Sequence, residues 1–190
     1  MRNLYLLLLN VILSSCALTP SGIGTAASEA YGAVVFDIDG TLTPDVYAVF
    51  SARDGAADAV NTFADSEIEI VYLTARVTML QSGLPGWLEK NGFPEGRIHV
   101  TETREDRQDH AAFKKRILAA YTANGWTFIA AYGDSSTDFE AYAATGIEQQ
   151  RVFALRRKGE EDCQPGTWAA CYAGWNEQAQ TIRRLIDAAN

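Results

Sequence analysis

From Gly32 onward the chain alternates short apolar runs with helical patterns, and this alternation limits its fold more than any other feature of its 190 residues. The runs Ala33–Asp37, Ile68–Leu73, Arg97–Thr101, Thr127–Tyr132 and Arg151–Leu155 carry the Val, Ile, Phe and Tyr expected of buried strands. Helices are predicted between and after them, at Gly55–Ala64, Val77–Asn91, Gln108–Ala123, Thr137–Thr145 and Asn176–Ala189. Strand alternating with helix implies an α/β fold, a parallel sheet with right-handed crossovers and helices on both faces. Ligands of such sheets bind at the carboxyl ends of the strands, so the residues just past each strand are the candidates for function.

The first strand ends in Asp37-Ile-Asp-Gly-Thr-Leu-Thr43. Carboxylates at i and i+2 of an extended chain project to the same side, and Gly40 lets the backbone turn sharply after them. Two acids this close need a cation or a shared proton. A turn capped by Asp explains one such acid but not the whole string.

This string resembles the hallmark of the haloacid dehalogenase superfamily, and the further motifs of that superfamily follow in order. The second strand finishes Val71-Tyr72-Leu73-Thr74, with a hydroxyl at its tip. Lys114 and Lys115 precede the fourth strand, which ends Tyr132-Gly-Asp-Ser-Ser-Thr-Asp138. Helical periodicity separates the two lysines: Phe113, Ile117, Leu118 and Tyr121 mark a buried stripe that includes Lys114 and excludes Lys115. The resemblance implies a three-layer Rossmann-like sheet and a Mg²⁺-dependent phosphatase. Asp37 would be the nucleophile, Asp39 the acid and base, and Thr74 and Lys114 the phosphoryl-binding groups. The Mg²⁺ would be held by Asp37, the Asp39 carbonyl and Asp134. Asp138 would support the metal shell or orient Lys114, and Gly40 and Thr41 would contact substrate.

Thr74 lies only 37 positions beyond Asp37, and Lys114 only 40 beyond Thr74, which leaves no room for a large cap domain. A single capless domain over residues 32–190 is expected, with an open site suited to large substrates or surfaces. In detail the pattern is similar to the lipin family, whose catalytic domain dephosphorylates phosphatidic acid. Tyr72-Leu-Thr-Ala-Arg76, Trp87, Gly92-Phe93-Pro94, Phe113-Lys114 and Ala141-Tyr142 add to the resemblance. Phosphatidic acid is thus one candidate substrate and soluble phosphomonoesters are another. A third reading is a non-catalytic module that binds phosphatidic acid, as lipin-like domains of some lipid-transfer proteins imply; the presence of both Asp37 and Asp39 argues against it. Arg76, Arg156 and Arg157 are candidate binders of phosphate or an anionic headgroup, against the plainer reading of a solvated basic turn. Trp87 and Trp175 are interfacial anchors or, more ordinarily, packing residues. His110 receives no role.

The formal charge of −8 argues against nucleic acid as a partner, and a monomer is expected. The first residues read as an export signal: Arg2, then Tyr5-Leu6-Leu7-Leu8-Leu9 and Val11-Ile12-Leu13, too short to span a bilayer comfortably. Leu13-Ser14-Ser15-Cys16 resembles a bacterial lipobox, which implies a signal peptide over 1–16, a lipidated Cys16 and a tether over 17–31. The alternative is a secretory signal cut after Ala27. Either way the domain is expected outside the cytoplasm, and in the first case lipid-anchored to a bacterial membrane on the periplasmic or cell-envelope side. Cys163 and Cys171 then remain as an even pair in an oxidising compartment, and a disulfide between them is expected.

Overall fold

The computed structural model describes residues 32–189; the expected signal, Cys16 and the tether lie outside them. Six parallel strands form one sheet: β1 (Gly32–Phe36), β2 (Glu69–Thr74), β3 (Arg97–Val100), β4 (Thr127–Gly133), β5 (Val152–Leu155) and β6 (Ala170–Tyr172), in the order β3-β2-β1-β4-β5-β6. The helices are α1 (Ala56–Ala64), α2 (Thr78–Gln81), α3 (Leu84–Lys90), α4 (Arg104–Gln108), α5 (His110–Ala123), α6 (Ser136–Ala144) and α7 (Ala179–Asp187). No described helix is long and apolar enough to cross a membrane.

Strand periodicity sorts the core into two halves. Val34 and Phe36 of β1 face one way with Ile70, Tyr72 and Tyr132, and pack on Phe63 of α1, Trp87 of α3 and Ile182 of α7. Ala33 and Val35 face the other way with Val71, Leu73 and Ala131, and pack on Phe113, Ile117 and Tyr121 of α5 and Tyr142 of α6. The result is a three-layer α/β/α single domain without a large cap. Trp87 and Trp175 are buried in the first half, so both are packing residues.

The expected strands all form, and the sixth, β6, was not foreseen. It is three residues long at the sheet edge with none of them fully buried, too short for its alternation to stand out in the sequence. The helix expected over 77–91 is broken at Ser82 and Gly83. Pro85 stands in the first turn of α3, where a missing N–H costs nothing, but it cannot continue α2. The helix expected from Gln108 is likewise two: Asp109 Oδ1 accepts the Ala112 N–H at 2.9 Å and starts α5, while α4 precedes it behind a Thr103–Asp106 capping box. The Cys163–Cys171 disulfide is present and ties the 156–169 loop to β6.

Strand order places the site. The chain runs from β1 outward through β2 to β3, then returns to lay β4 on the other side of β1. The carboxyl ends of β1, β2 and β4 therefore diverge around one crevice, the switch point where open sheets bind ligands.

Candidate active site

Asp37 follows β1 directly, and its N–H donates to Tyr132 O of β4 at 2.9 Å, so the first motif continues the sheet by one residue. Beyond it the N–H groups of Thr41, Leu42 and Thr43 all turn back to Ile38 O. Gly40 sits in this turn with φ of 87°, and a Cβ there would lie 2.0 Å from Asp134 Oδ2. Only glycine allows the β1 and β4 loops to approach this closely. The Gly40 N–H donates to Thr43 Oγ1 at 2.8 Å, and Thr41 is wholly buried with Oγ1 3.5 Å from Asp37 Oδ2. Both residues shape the loop from beneath.

Asp37, Asp39, Thr74, Arg76, His110, Lys114, Asp134 and Arg157 line one open cleft of about 290 Å³. Lys114 reaches up from α5, 3% exposed, and its Nζ lies 2.5 Å from Asp37 Oδ1 and also contacts Asp138 Oδ1. The other oxygen of Asp138 accepts from Asp134 N, Ser135 N and Ser135 Oγ at 3.1, 3.0 and 2.8 Å. Asp138 thus caps α6, fixes the β4 loop and orients Lys114, leaving neither oxygen free.

On the opposite wall Arg76 Nε lies 3.0 Å from both oxygens of Asp39, its Nη2 contacts Oδ1, and Thr74 Oγ1 donates to Oδ2 at 3.3 Å. The Arg76 guanidinium is itself 5.5 Å from the Trp87 ring centroid. This stacking holds a buried cation in place to position the second aspartate. Arg157 Nε pairs with Asp134 Oδ2. Arg156 donates instead to Glu161 O and faces a neighbouring, larger cleft, which shares Arg157 but contains none of Asp37, Asp39, Thr74 or Lys114.

Four carboxylates (Asp37, Asp39, Asp134, Asp138) thus meet three cations (Arg76, Lys114, Arg157), leaving one negative charge in excess. Burial raises Asp37 well above the usual carboxylate range; Lys114 pulls it back, and Asp138, Asp134 and Asp39 push it further up. Burial and Asp138 likewise push Asp134 up to about 6, against the pull of Arg157. Burial alone would lower Lys114, but Asp138 and Asp37 outweigh it and keep the ammonium charged. Ligand oxygens of Asp37, Asp134 and Asp138 lie within 4.8 Å of one another, an all-oxygen set suited to a hard cation. Because Asp138 has no free oxygen, Asp37 and Asp134 are the carboxylates that fit such an ion.

Sequence reasoning missed Arg53. It is 9% exposed and donates to five backbone carbonyls: Gly40, Thr43 and Pro44 after β1, Arg156 after β5 and Ala173 after β6. Trp175 Nε1 adds a bond to Thr41 O at 3.1 Å. These two side chains hold the loop after β1 against the far half of the sheet. A lone arginine in an irregular segment gives no local signal of this, since every partner is a main-chain carbonyl.

Comparison with known proteins places the chain in a family and a fold. Residues 34–156 match the family model described as PITM 1-3, LNS2 domain. Membrane-associated phosphatidylinositol transfer protein 1 of Rattus norvegicus is 32% identical over 148 residues, covering 74% of this chain and 12% of the relative. The Homo sapiens protein of the same name is 31% identical over 159 residues, covering 80% of this chain and 12% of its own. The chain therefore spans only a small part of these relatives' length. Among solved structures, a putative HAD-like phosphatase from Mesorhizobium loti superposes with a TM-score of 0.60 at 14% identity, covering 90% of this chain and 97% of that one. The cobalt-bound deoxy-D-mannose-octulosonate 8-phosphate phosphatase of Haemophilus influenzae gives 0.52 at 17% identity, covering 84% and 91%. At these identities the likeness is one of fold.

Proposed function

Taking as premise that the chain belongs to the LNS2 family, we propose that it is a Mg²⁺-dependent phosphatase that hydrolyses a phosphomonoester, with a lipid phosphate such as phosphatidic acid as its substrate. The observation that carries the reading is the convergence of Asp37 and Asp39 with Thr74, Lys114 and Asp134 on one cleft at the switch point of the sheet. In this reading an Asp37 oxygen attacks phosphorus in line and the ester P–O bond breaks. Asp39 in its protonated form gives the leaving oxygen its proton, one of its oxygens turning from the Arg76 and Thr74 contacts that hold it over the cleft. The aspartyl-phosphate is then hydrolysed by a water whose proton returns to Asp39. Lys114 and Thr74 neutralise and hold the phosphoryl oxygens. Asp37, Asp134 and the Asp39 carbonyl are the groups that would hold Mg²⁺, which supplies the positive charge that the excess of carboxylates and an incoming phosphate both demand.

The lipid part of the proposal draws on the relatives, whose names speak of membrane association and phosphatidylinositol transfer. Those names also favour a second reading, a module that binds a lipid phosphate without turning it over. Phosphate release by the full chain from phosphatidic acid in mixed micelles and from a soluble aryl phosphate, with and without Mg²⁺, separates the readings. Mg²⁺-dependent turnover of the lipid above the aryl ester, lost in Asp37→Asn, supports the proposal. Preference for the aryl ester replaces the substrate, and lipid binding without any turnover favours the module. Export and lipid anchoring through Cys16 are part of the same proposal; mass spectrometry showing an unmodified mature terminus downstream of Cys16 would overturn that part.

A further inference from the structure

Four large apolar side chains stand exposed among the described residues: Tyr47 (90%), Phe50 (77%), Val77 (62%) and Met79 (86%). They come from two segments distant in sequence, one after the first motif and one after β2, and both flank the catalytic cleft, whose walls include Val46, Val49, Val77 and Leu80. Neither segment carries a charge over its apolar stretch: none occurs from Val46 to Ala52 or from Val77 to Leu88, in a chain that is 21% charged.

The backbone beneath is held at several points. Asp45 Oδ1 accepts the N–H groups of Tyr47 and Ala48 at 2.7 and 2.9 Å, Thr43 Oγ1 donates to Asp45 O at 2.8 Å, and Arg53 holds Pro44 O at 2.8 Å. On the other side Gln81 Nε2 donates to Arg76 O at 2.8 Å and Thr101 O at 3.2 Å. The apolar side chains therefore project from pinned loops. Beside them runs the basic turn after β5, where the Lys158 N–H donates to Pro44 O at 2.9 Å. Lys158 is exposed and forms no ion pair among the described residues.

We propose that residues 46–50 and 77–80 form one rim that inserts into a lipid bilayer bearing anionic headgroups and seats the cleft over a phosphate at its surface. The proposal rests on the phosphatase reading for what the cleft then does, but the insertion itself does not depend on turnover. A bilayer fits because the rim flanks the cleft that takes the phosphate in the phosphatase reading and adjoins the basic turn, where Lys158 is free of ion pairs among the described residues. An apolar rim beside a phosphate-binding cleft and a basic turn matches an amphiphile, whose phosphate enters the cleft while its chains stay with the rim. The chain's charge of −8 would repel an anionic surface, and the rim is where charge is missing.

The test uses the full chain. Phe50→Trp is added to vesicles of phosphatidylcholine and phosphatidic acid with brominated acyl chains, and its emission is compared with that of the parent, so that an anchor elsewhere does not contribute. Insertion predicts a blue shift and bromine quenching specific to F50W. Combining Tyr47→Ser, Phe50→Ser, Val77→Ser and Met79→Ser is expected to lower vesicle phosphatidate hydrolysis by about tenfold or more relative to aryl phosphate hydrolysis. An F50W emission indifferent to vesicles, with that ratio unaltered by the serine variant, overturns the rim while leaving the phosphatase reading intact. If the parent hydrolyses neither substrate, the phosphatase reading fails and the F50W quenching alone decides the rim. A parent dimer that Phe50→Asp converts to monomer without changing the vesicle ratio would make the rim a self-association surface instead.

Discussion

Asp138→Asn should destabilise the fold while Asp37→Asn does not, although the two carboxylates share Lys114. Asp138 is fully buried and gives one oxygen to Lys114 and the other to three donors of the β4 loop. An asparagine keeps the shape but turns an NH₂ toward either the ammonium or those loop donors, and each orientation opposes donor to donor. At least one buried donor is then unpaired, at a cost of about 1–3 kcal/mol. Lys114 also loses one of its two charge partners. Breaking a buried ion pair outright costs about 3–5 kcal/mol, and because Asp37 still serves Lys114 we expect about 3 kcal/mol in total. For a domain of this size that lowers Tm by about 6–12 °C. Asp37 makes only its bond to Lys114 and a long contact from Thr41, while burial and three neighbouring carboxylates disfavour its charge. Neutralising it should leave Tm unchanged or raise it. The assay is thermal unfolding of parent and variants at neutral pH in excess chelator, so that no cation contributes. A loss of equal size in both variants, or an Asp138→Asn melt within about 1 °C of the parent, would refute this division between a structural carboxylate and the proposed nucleophile.

Arg53→Met keeps the stem but removes the donors to five carbonyls, several of them buried. It should cost about 3 kcal/mol or more in denaturant unfolding, and an unaltered midpoint would show that water replaces the guanidinium without penalty. Arg76→Lys cannot reproduce the paired bonds to both Asp39 oxygens or the stacking on Trp87. It should lower kcat by about tenfold or more with a smaller change in KM; a change confined to KM would assign Arg76 to substrate binding instead. His99 on β3 lies 2.8 Å from Tyr121 Oη, and burial, then Arg97 and Arg116, lower its pKa to about 4. Its folded pKa lies below the unfolded one, so its neutral form is favoured in the fold. Stability is complete above about pH 6.5 and falls by up to about 3 kcal/mol as pH drops through 4. His99→Gln should flatten that slope, and a ring titrating near 6.5 by NMR would contradict it.

Much of this protein can be read locally. The alternation of apolar runs and helical patterns determined a parallel sheet with helices on both faces, because strand and helix impose different periods on one burial requirement. Asp37, Asp39, Thr74 and Asp134 could be singled out because each stands at or just past a strand end, where open sheets bind ligands; helical periodicity separated Lys114 from Lys115, and the roles came from the resemblance to the haloacid dehalogenase superfamily. The break at Pro85 is also written in the chain, since proline cannot continue the preceding helix. What only the tertiary structure decided depends on partners distant in sequence. Arg53 matters through carbonyls on three loops, Asp138 through a lysine 24 positions away, and Arg76 through both Asp39 and Trp87. β6 exists because β5 offers it an edge, with only three residues of its own to mark it. The exposed rim belongs to the same class. Tyr47, Phe50, Val77 and Met79 read as ordinary apolar residues along the chain, and only packing shows that they stand exposed among the described residues, on two segments that flank one cleft.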